Sequence, residues 1–378
     1  MATVTVYFAT NRKPTVDGSN RIVDFGSELG PIDGTAVRFG KIDVDVVRGE
    51  ATARRDTLQV APENLYPPGN QAPQHGSNAV FDEIRTIMLE HERPTLVVVH
   101  GFSNAFFDTV ERAGLILDFY GIDANVFSFS WPSRGSPSGI PLPYADYAHD
   151  REMARRSGVA MARTLRILYR YMDRIMKEEQ CRQPIHLICH SMGVYAFRHA
   201  VQALMRMPLD DSPLDGPDDQ GRLLISVPTD GKPDPNNLRQ TFEQVILAAA
   251  DEDDDAFDDA AELKYLPRLG AAVTVYHTRR DWILSTLSNV TKFNGPRLGT
   301  NGPDNMSGIS DKIVAVDVSN VLDVTEDFQN HQYYRTFPAV RDDIVSVLEG
   351  QRPDQIRNRT TLGSRRYLLT PPRRRARS

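Results

Sequence analysis

A serine, a histidine and an aspartate carry the chemistry legible in this sequence. Ser191 stands in Cys189-His190-Ser191-Met192-Gly193, between the apolar run Ile185–Cys189 and Val194, Phe197, Ala200, Val201 and Leu204, which recur at helical spacing. A strand, a tight turn and a helix with serine at the turn form a nucleophile elbow, which strains the serine backbone and lifts its hydroxyl above the sheet. The turn needs small residues two positions to either side. Gly193 supplies one, and Cys189, small but not minimal, stands where glycine is usual. A serine capping an ordinary helix start has the same local pattern, so the partners must decide.

A serine hydroxyl is a poor nucleophile near neutral pH. It needs a base, and the base needs an acid that fixes its tautomer and balances its charge. Of the nine histidines only His331 lies beyond residue 277, after the strand-like run Lys312–Val318 and before Gln332-Tyr333-Tyr334. It is the expected base. Asp281, just beyond the run Ala271–His277, is the expected acid because its strand is the penultimate one. Asp251, closing the run Gln244–Ala250, is the alternative; it begins the acidic stretch 251–259 and could equally serve a helix start. Asp253–Asp255 read as acids in the first turn of a helix, and the stretch lacks the spaced pattern of a calcium loop.

The developing oxyanion needs hydrogen-bond donors. The candidates are the backbone N–H of Met192, directly after the serine, and that of Phe102 in His100-Gly101-Phe102, which follows the apolar Thr95–Val99. His190 reads as structural or flanking, and His186 and His199 as packing or surface residues. The histidines and acids show no metal-ligand spacing, and the chemistry requires no metal or organic cofactor.

The elements that must position these residues alternate. Strands are expected over 3–9, 36–47, 95–99, 126–131, 185–189, 244–250, 271–277 and 312–318. Helices are expected over 79–91, from about 103 to 120, over 146–178, after the serine, and over 332–349. Strands alternating with helices imply parallel β-α units, hence a mostly parallel sheet covered on both faces, with antiparallel strands at the N-terminus. Residues 208–238, rich in Pro, Asp and Gly, read as a polar excursion that could act as a lid or mobile loop. Residues 1–351 are therefore expected to form one domain.

The chain has 378 residues, 40% hydrophobic and 25% charged, enough for a sizeable core and an ordinary soluble surface. Residues 352–378 hold nine Arg and one Asp; this net +8 leaves −14 on the rest, against −6 for the whole chain. An acidic body argues against a nucleic-acid binder, and the Arg-rich end reads as a solvated tail. No apolar stretch is long enough to span a membrane, the N-terminus reads as a strand rather than a secretory signal, and Cys181 and Cys189 form no disulfide framework. A cytoplasmic setting is expected.

Several pieces together resemble one family. Val6-Tyr7-Phe8-Ala9-Thr10-Asn11-Arg12, Val99-His100-Gly101-Phe102, Phe129-Ser130-Trp131-Pro132-Ser133-Arg134-Gly135, His190-Ser191-Met192-Gly193, Leu247–Asp251 and His331-Gln332-Tyr333-Tyr334 span roughly residues 4–349. In this combination the chain resembles bacterial α/β-hydrolases of unknown function in the esterase/lipase superfamily. The resemblance implies an α/β-hydrolase fold and a triad on Ser191, Asp281 and His331, in the chain order of that fold. The function expected is a serine hydrolase, an esterase, acting on a small-molecule ester or acyl substrate. An acyltransferase or amidase with the same triad, and a catalytically silent binding module, are the competing readings. Oligomeric state is left open.

Overall fold

The computed structural model of the protein describes residues 2–31, 34–62, 76–135, 144–175, 181–207, 232–288, 296–323 and 330–371, with the backbone of 216–217 and 223–224. The chain opens with β1 (Ala2–Thr10), a hairpin of β2 (Arg12–Val16) and β3 (Ile22–Leu29), then β4 (Arg38–Val47), β5 (Glu50–Ala53) and β6 (Gln59–Val60). Next come α1 (Ser77–Glu90), β7 (Thr95–Val99), α2 (Phe106–Tyr120), β8 (Asn125–Ser130) and α3 (Tyr144–Ile175). The middle is β9 (Ile185–His190), α4 (Met192–Arg206), the small pair β10 (Gly216–Pro217) and β11 (Leu223–Leu224), and β12 (Phe242–Ala248). The chain ends through β13 (Gly270–His277), α5 (Leu298–Asn301), β14 (Ile313–Asp317), α6 (Pro338–Leu348), β15 (Arg359–Gly363) and β16 (Arg366–Leu369).

Twelve of these strands form one sheet in the order β15-β16-β14-β13-β12-β9-β7-β8-β1-β4-β5, with β6 also pairing with β4. From β16 to β1 every neighbouring pair is parallel; β4, β5, β6 and β15 join antiparallel. The central strands are apolar on both sides because both faces are covered. In β9, Leu187 and Cys189 pack toward α1, α3 and α4, while Ile188 packs toward α2 and α6. In β12, Val245 and Leu247 face the first layer and Ile246 and Ala248 the second. The expected α/β architecture with N-terminal antiparallel strands is present. No helix among the described residues is long and apolar enough to cross a membrane.

Three expectations are corrected. The final helix does not run from 332: Tyr333–Arg335 form a separate tight turn and α6 begins at Pro338. The residue before a proline is pushed away from helical angles, and Phe337 is extended at φ −98 and ψ 117. The acidic stretch 251–259 is not a helix start but a series of turns. There Asp253 pairs with Arg297 and the buried Glu252 with Arg198 at 3.1 Å.

The third concerns the Arg-rich end. Residues 359–369 are not a solvated tail but a hairpin on the sheet edge, with Tyr367 and Leu369 buried. Its arginines find partners: Arg359 pairs with Asp343 at 2.6 Å, and Arg365 Nη1 donates to Ile313 O at 2.9 Å. Residues 372–378, and most of the 208–238 excursion, lie outside the described residues.

Candidate active site

In parallel sheets, ligands are bound beyond the carboxyl ends of the strands. Ser191 follows β9, Asp281 lies four residues past the end of β13, and His331 follows β14. Ser191 has φ 55 and ψ −126, a conformation that costs a non-glycine residue about 1–3 kcal/mol. Neighbouring backbone holds it there: its N–H donates to Ala248 O at 2.9 Å, and its carbonyl accepts from Val194 N–H at 3.0 Å and Asp251 N–H at 3.3 Å. Space is the second requirement. A Cβ on Gly193 would lie 2.5 Å from His100 O and 2.6 Å from Val99 O, so that position admits only glycine. Cys189 points into the core and is fully buried, so no minimal residue is demanded on the strand side.

The structure brings Ser191, His331 and Asp281 together. Ser191 Oγ lies 3.0 Å from His331 Nε2, and His331 Nδ1 lies 2.7 Å from Asp281 Oδ2. All three residues are buried. A carboxylate can only accept, so the imidazole proton sits on Nδ1 and Nε2 becomes the acceptor for the serine proton. Asp281 Oδ1 accepts from Leu284 N–H at 2.9 Å, which fixes the carboxylate plane. Asp251 is engaged elsewhere: its Oδ2 accepts from Tyr147 Oη at 2.5 Å and from Arg151 Nη1 at 3.3 Å.

The two expected oxyanion donors belong to segments next to Ser191 in the chain or in space. The N–H of Met192 is the first of α4, one of the donors a helix leaves without an intrahelical partner. The His100–Asn104 loop, which carries Phe102, runs against the serine: a Cβ on Gly101 would lie 2.9 Å from the Ser191 Cβ.

Two further histidines support the site. His190 Nε2–H donates to the His331 carbonyl at 3.0 Å, and its ring stacks on Tyr334 at 4.6 Å. His100 stacks on Trp131 at 4.8 Å; its Nδ1–H donates to Gly101 O at 2.8 Å and its Nε2 accepts from Trp131 N–H at 3.1 Å. Burial holds both rings well below the usual histidine value, so both are neutral scaffolding. Tyr333 Oη donates to Tyr276 O at 2.8 Å and accepts from Ala249 N–H at 2.7 Å, tying the ends of β12 and β13 together. The roles of His100 and Tyr333 were not read from the sequence. The signal available was their position inside the motifs that flank the serine and the base.

A parallel sheet with a strained serine between a central strand and its following helix defines an α/β hydrolase. The chain belongs to the family described as alpha/beta hydrolase of unknown function (DUF900), whose model matches residues 78–352. The match starts at α1, so β1–β6 lie outside it. No curated protein matches the sequence.

Two other features are separate from this site. A cavity of about 460 Å³ among α1, α3 and the amino ends of β7, β9 and β12 is lined by Ile84, Met88, Leu165, Leu168 and Phe242. It lies at the opposite end of the strands from Ser191, and its lining includes no triad residue. Asp253, Asp255 and Glu262 each place a ligand atom within 4.8 Å of the others. Arg297 and Arg198 already pair with the first and third of them.

Proposed function

We propose that the protein is a serine hydrolase that cleaves carboxylic esters through an acyl-enzyme on Ser191. The observation that carries this reading is the continuous hydrogen-bonded chain from Asp281 through His331 to a strained serine. Ser191 Oγ attacks the carbonyl carbon while its proton passes to His331 Nε2. The carbonyl π pair moves onto oxygen, where the N–H groups of Met192 and Phe102 stabilise the charge. Collapse of the tetrahedral adduct breaks the bond to the alcohol oxygen, which leaves with the proton from His331. Water then attacks the acyl carbonyl, His331 takes its proton, and the second collapse releases the acid and returns the proton to Ser191. Asp281 holds Nδ1–H throughout and balances the imidazolium charge.

A fluorophosphonate probe tests this. We expect one adduct, mapped to Ser191 by mass spectrometry, and none in Ser191→Ala. Equal labelling of Ser191→Ala would remove the assignment. Turnover of p-nitrophenyl esters with and without added alcohol then separates hydrolysis from acyl transfer.

A further inference from the structure

The mechanism leaves two sequence motifs without a task, Ala9-Thr10-Asn11-Arg12 and Trp131-Pro132-Ser133-Arg134. Both converge on the loop that carries the Phe102 N–H. A trans peptide is planar, so the N–H of Phe102 points opposite to the C=O of Gly101. Whatever grips that carbonyl therefore aims the donor. Two groups grip it: His100 Nδ1–H at 2.8 Å and Asn104 Nδ2 at 2.9 Å. The same Asn104 amide donates to Phe102 O at 2.8 Å. Only its NH₂ face can serve two carbonyls, which fixes the orientation of the amide.

Asn104 is buried and is itself held through its backbone at both ends. Its N–H donates to Ser133 Oγ at 3.0 Å, and its carbonyl accepts from Arg12 Nη2 at 2.8 Å. Arg12, also buried, uses its other donors on Ser130 Oγ at 2.8 Å, Ser133 O at 2.9 Å and Gly26 O at 3.1 Å. Asp150, buried as well, accepts from Ser133 Oγ at 2.5 Å, Ser103 N–H at 3.2 Å and Arg134 N–H at 3.1 Å. Ser103 has φ 61, a left-handed conformation that a serine holds only when its surroundings impose it. A buried guanidinium and a buried carboxylate thus bracket one five-residue loop, and both act on its backbone rather than on substrate.

We propose that Asn104, braced by Arg12 and Asp150, is the positioning residue that aims the Phe102 N–H at the oxyanion. The brace originates in β2, outside the stretch that the family model matches. Lysine cannot replace Arg12, because one ammonium cannot reach Ser130, Ser133, Gly26 and Asn104 together, whereas a planar guanidinium does.

This inference rests on the serine-hydrolase reading, and the test separates the two. Wild-type protein is first titrated with a fluorophosphonate. If Ser191 is not labelled, both the reading and the inference fall. If it is labelled, Asn104→Ala, Arg12→Lys and Asp150→Asn are compared per titrated serine. Losing an oxyanion donor outright lowers kcat by about 10²–10³-fold, so a mis-aimed one should lower it by about 10–100-fold with KM changed less than about threefold. Affinity for a trifluoromethyl ketone, which forms a tetrahedral oxyanion on the serine, should fall in parallel with kcat/KM. Where Asn104→Ala loses stability, the isosteric Asn104→Asp removes the NH₂ donor and keeps the volume. Variants that lose only titratable sites, with wild-type kcat per site and wild-type ketone affinity, would overturn the positioning role and leave the catalytic reading intact.

Discussion

Asn in place of Asp281 is the most informative single change at the site. The side chain keeps its shape, so the perturbation at His331 is the reversal of one hydrogen bond and the loss of the balancing charge. Asp281 Oδ1 accepts from Leu284 N–H at 2.9 Å, and the amide oxygen of the substituted side chain would stay there. Its NH₂ would then face His331 Nδ1 across the 2.7 Å now spanned by N–H and carboxylate. Two donors cannot share that contact, so the imidazole shifts its proton to Nε2. Nε2 then donates where it must accept, and the 3.0 Å contact to Ser191 Oγ can no longer draw off the proton. The same change in the triad of a serine protease lowers kcat about 10⁴-fold, equivalent to roughly 5 kcal/mol of transition-state stabilisation. Asp251→Asn is the control. It weakens the contacts to Tyr147 and Arg151, so it should cost about 1–3 kcal/mol of stability rather than rate. The assay is ester turnover per fluorophosphonate-titrated serine, with thermal melts of both variants. Asp281→Asn within tenfold of wild type, alongside Asp251→Asn reduced by three orders of magnitude, would refute the assignment of the acid.

Two more outcomes are expected. Gly193→Ala should abolish labelling of Ser191, since its methyl would meet two backbone carbonyls at 2.5 and 2.6 Å, whereas Cys189→Gly should keep activity and lower stability by about 1–2 kcal/mol; melts and labelling of the pair check this. Burial lowers His186 to about 4 in the fold, while an unfolded histidine titrates near 6.5, so the unfolded state binds more protons between these values. That contribution to stability is complete above pH ~6.5 and lost as pH falls toward 4; His186→Leu should therefore reduce the loss between pH 7.5 and 4.5 by roughly 2 kcal/mol in urea unfolding.

The central strands and the site were legible in the sequence for a shared reason. A strand buried on both faces must be apolar along its length, so Thr95–Val99 and Ile185–Cys189 stand out without any partner being known. The residue that closes such a strand and cannot be apolar then becomes conspicuous, as Ser191 does. His331 and Asp281 could be ranked only by chain order, because what unites them is a contact over 50 positions. The features that stayed hidden depend on tertiary pairing. Arg359–Gly363 and Arg366–Leu369 carry the charge of a tail and become strands because β14 offers an edge to pair with and Asp343 offers Arg359 a buried partner. Arg12 stood out only as the end of a motif shared with the family, and its role gave no signal, since a strand-end arginine reads as solvent-facing until the loops that surround it are in place.

Backbone strain marks the same edge independently of any chemistry. Among the described residues, Ser103, Ser191, Ala249 and Asn330 all have positive φ. The first three fall within four residues of the ends of β7, β9 and β12, and the fourth immediately precedes His331. Each such residue costs on the order of 1–3 kcal/mol and persists only where its surroundings over-determine it. For three of them the restraint is identifiable: Asp150 receives the N–H of Ser103, Ala248 that of Ser191, and Tyr333 that of Ala249. The other non-glycine residues with positive φ, such as Asn20, Arg48 and Asn358, sit in turns between strands or before one, where such angles are ordinary. Three strained residues gathered around a fourth, Ser191, are not needed to close a parallel sheet. They fit the proposed site, in which several loops must bring a hydroxyl, an imidazole and amide donors to a single point, and the buried polar groups around Asn104 restrain one of those loops.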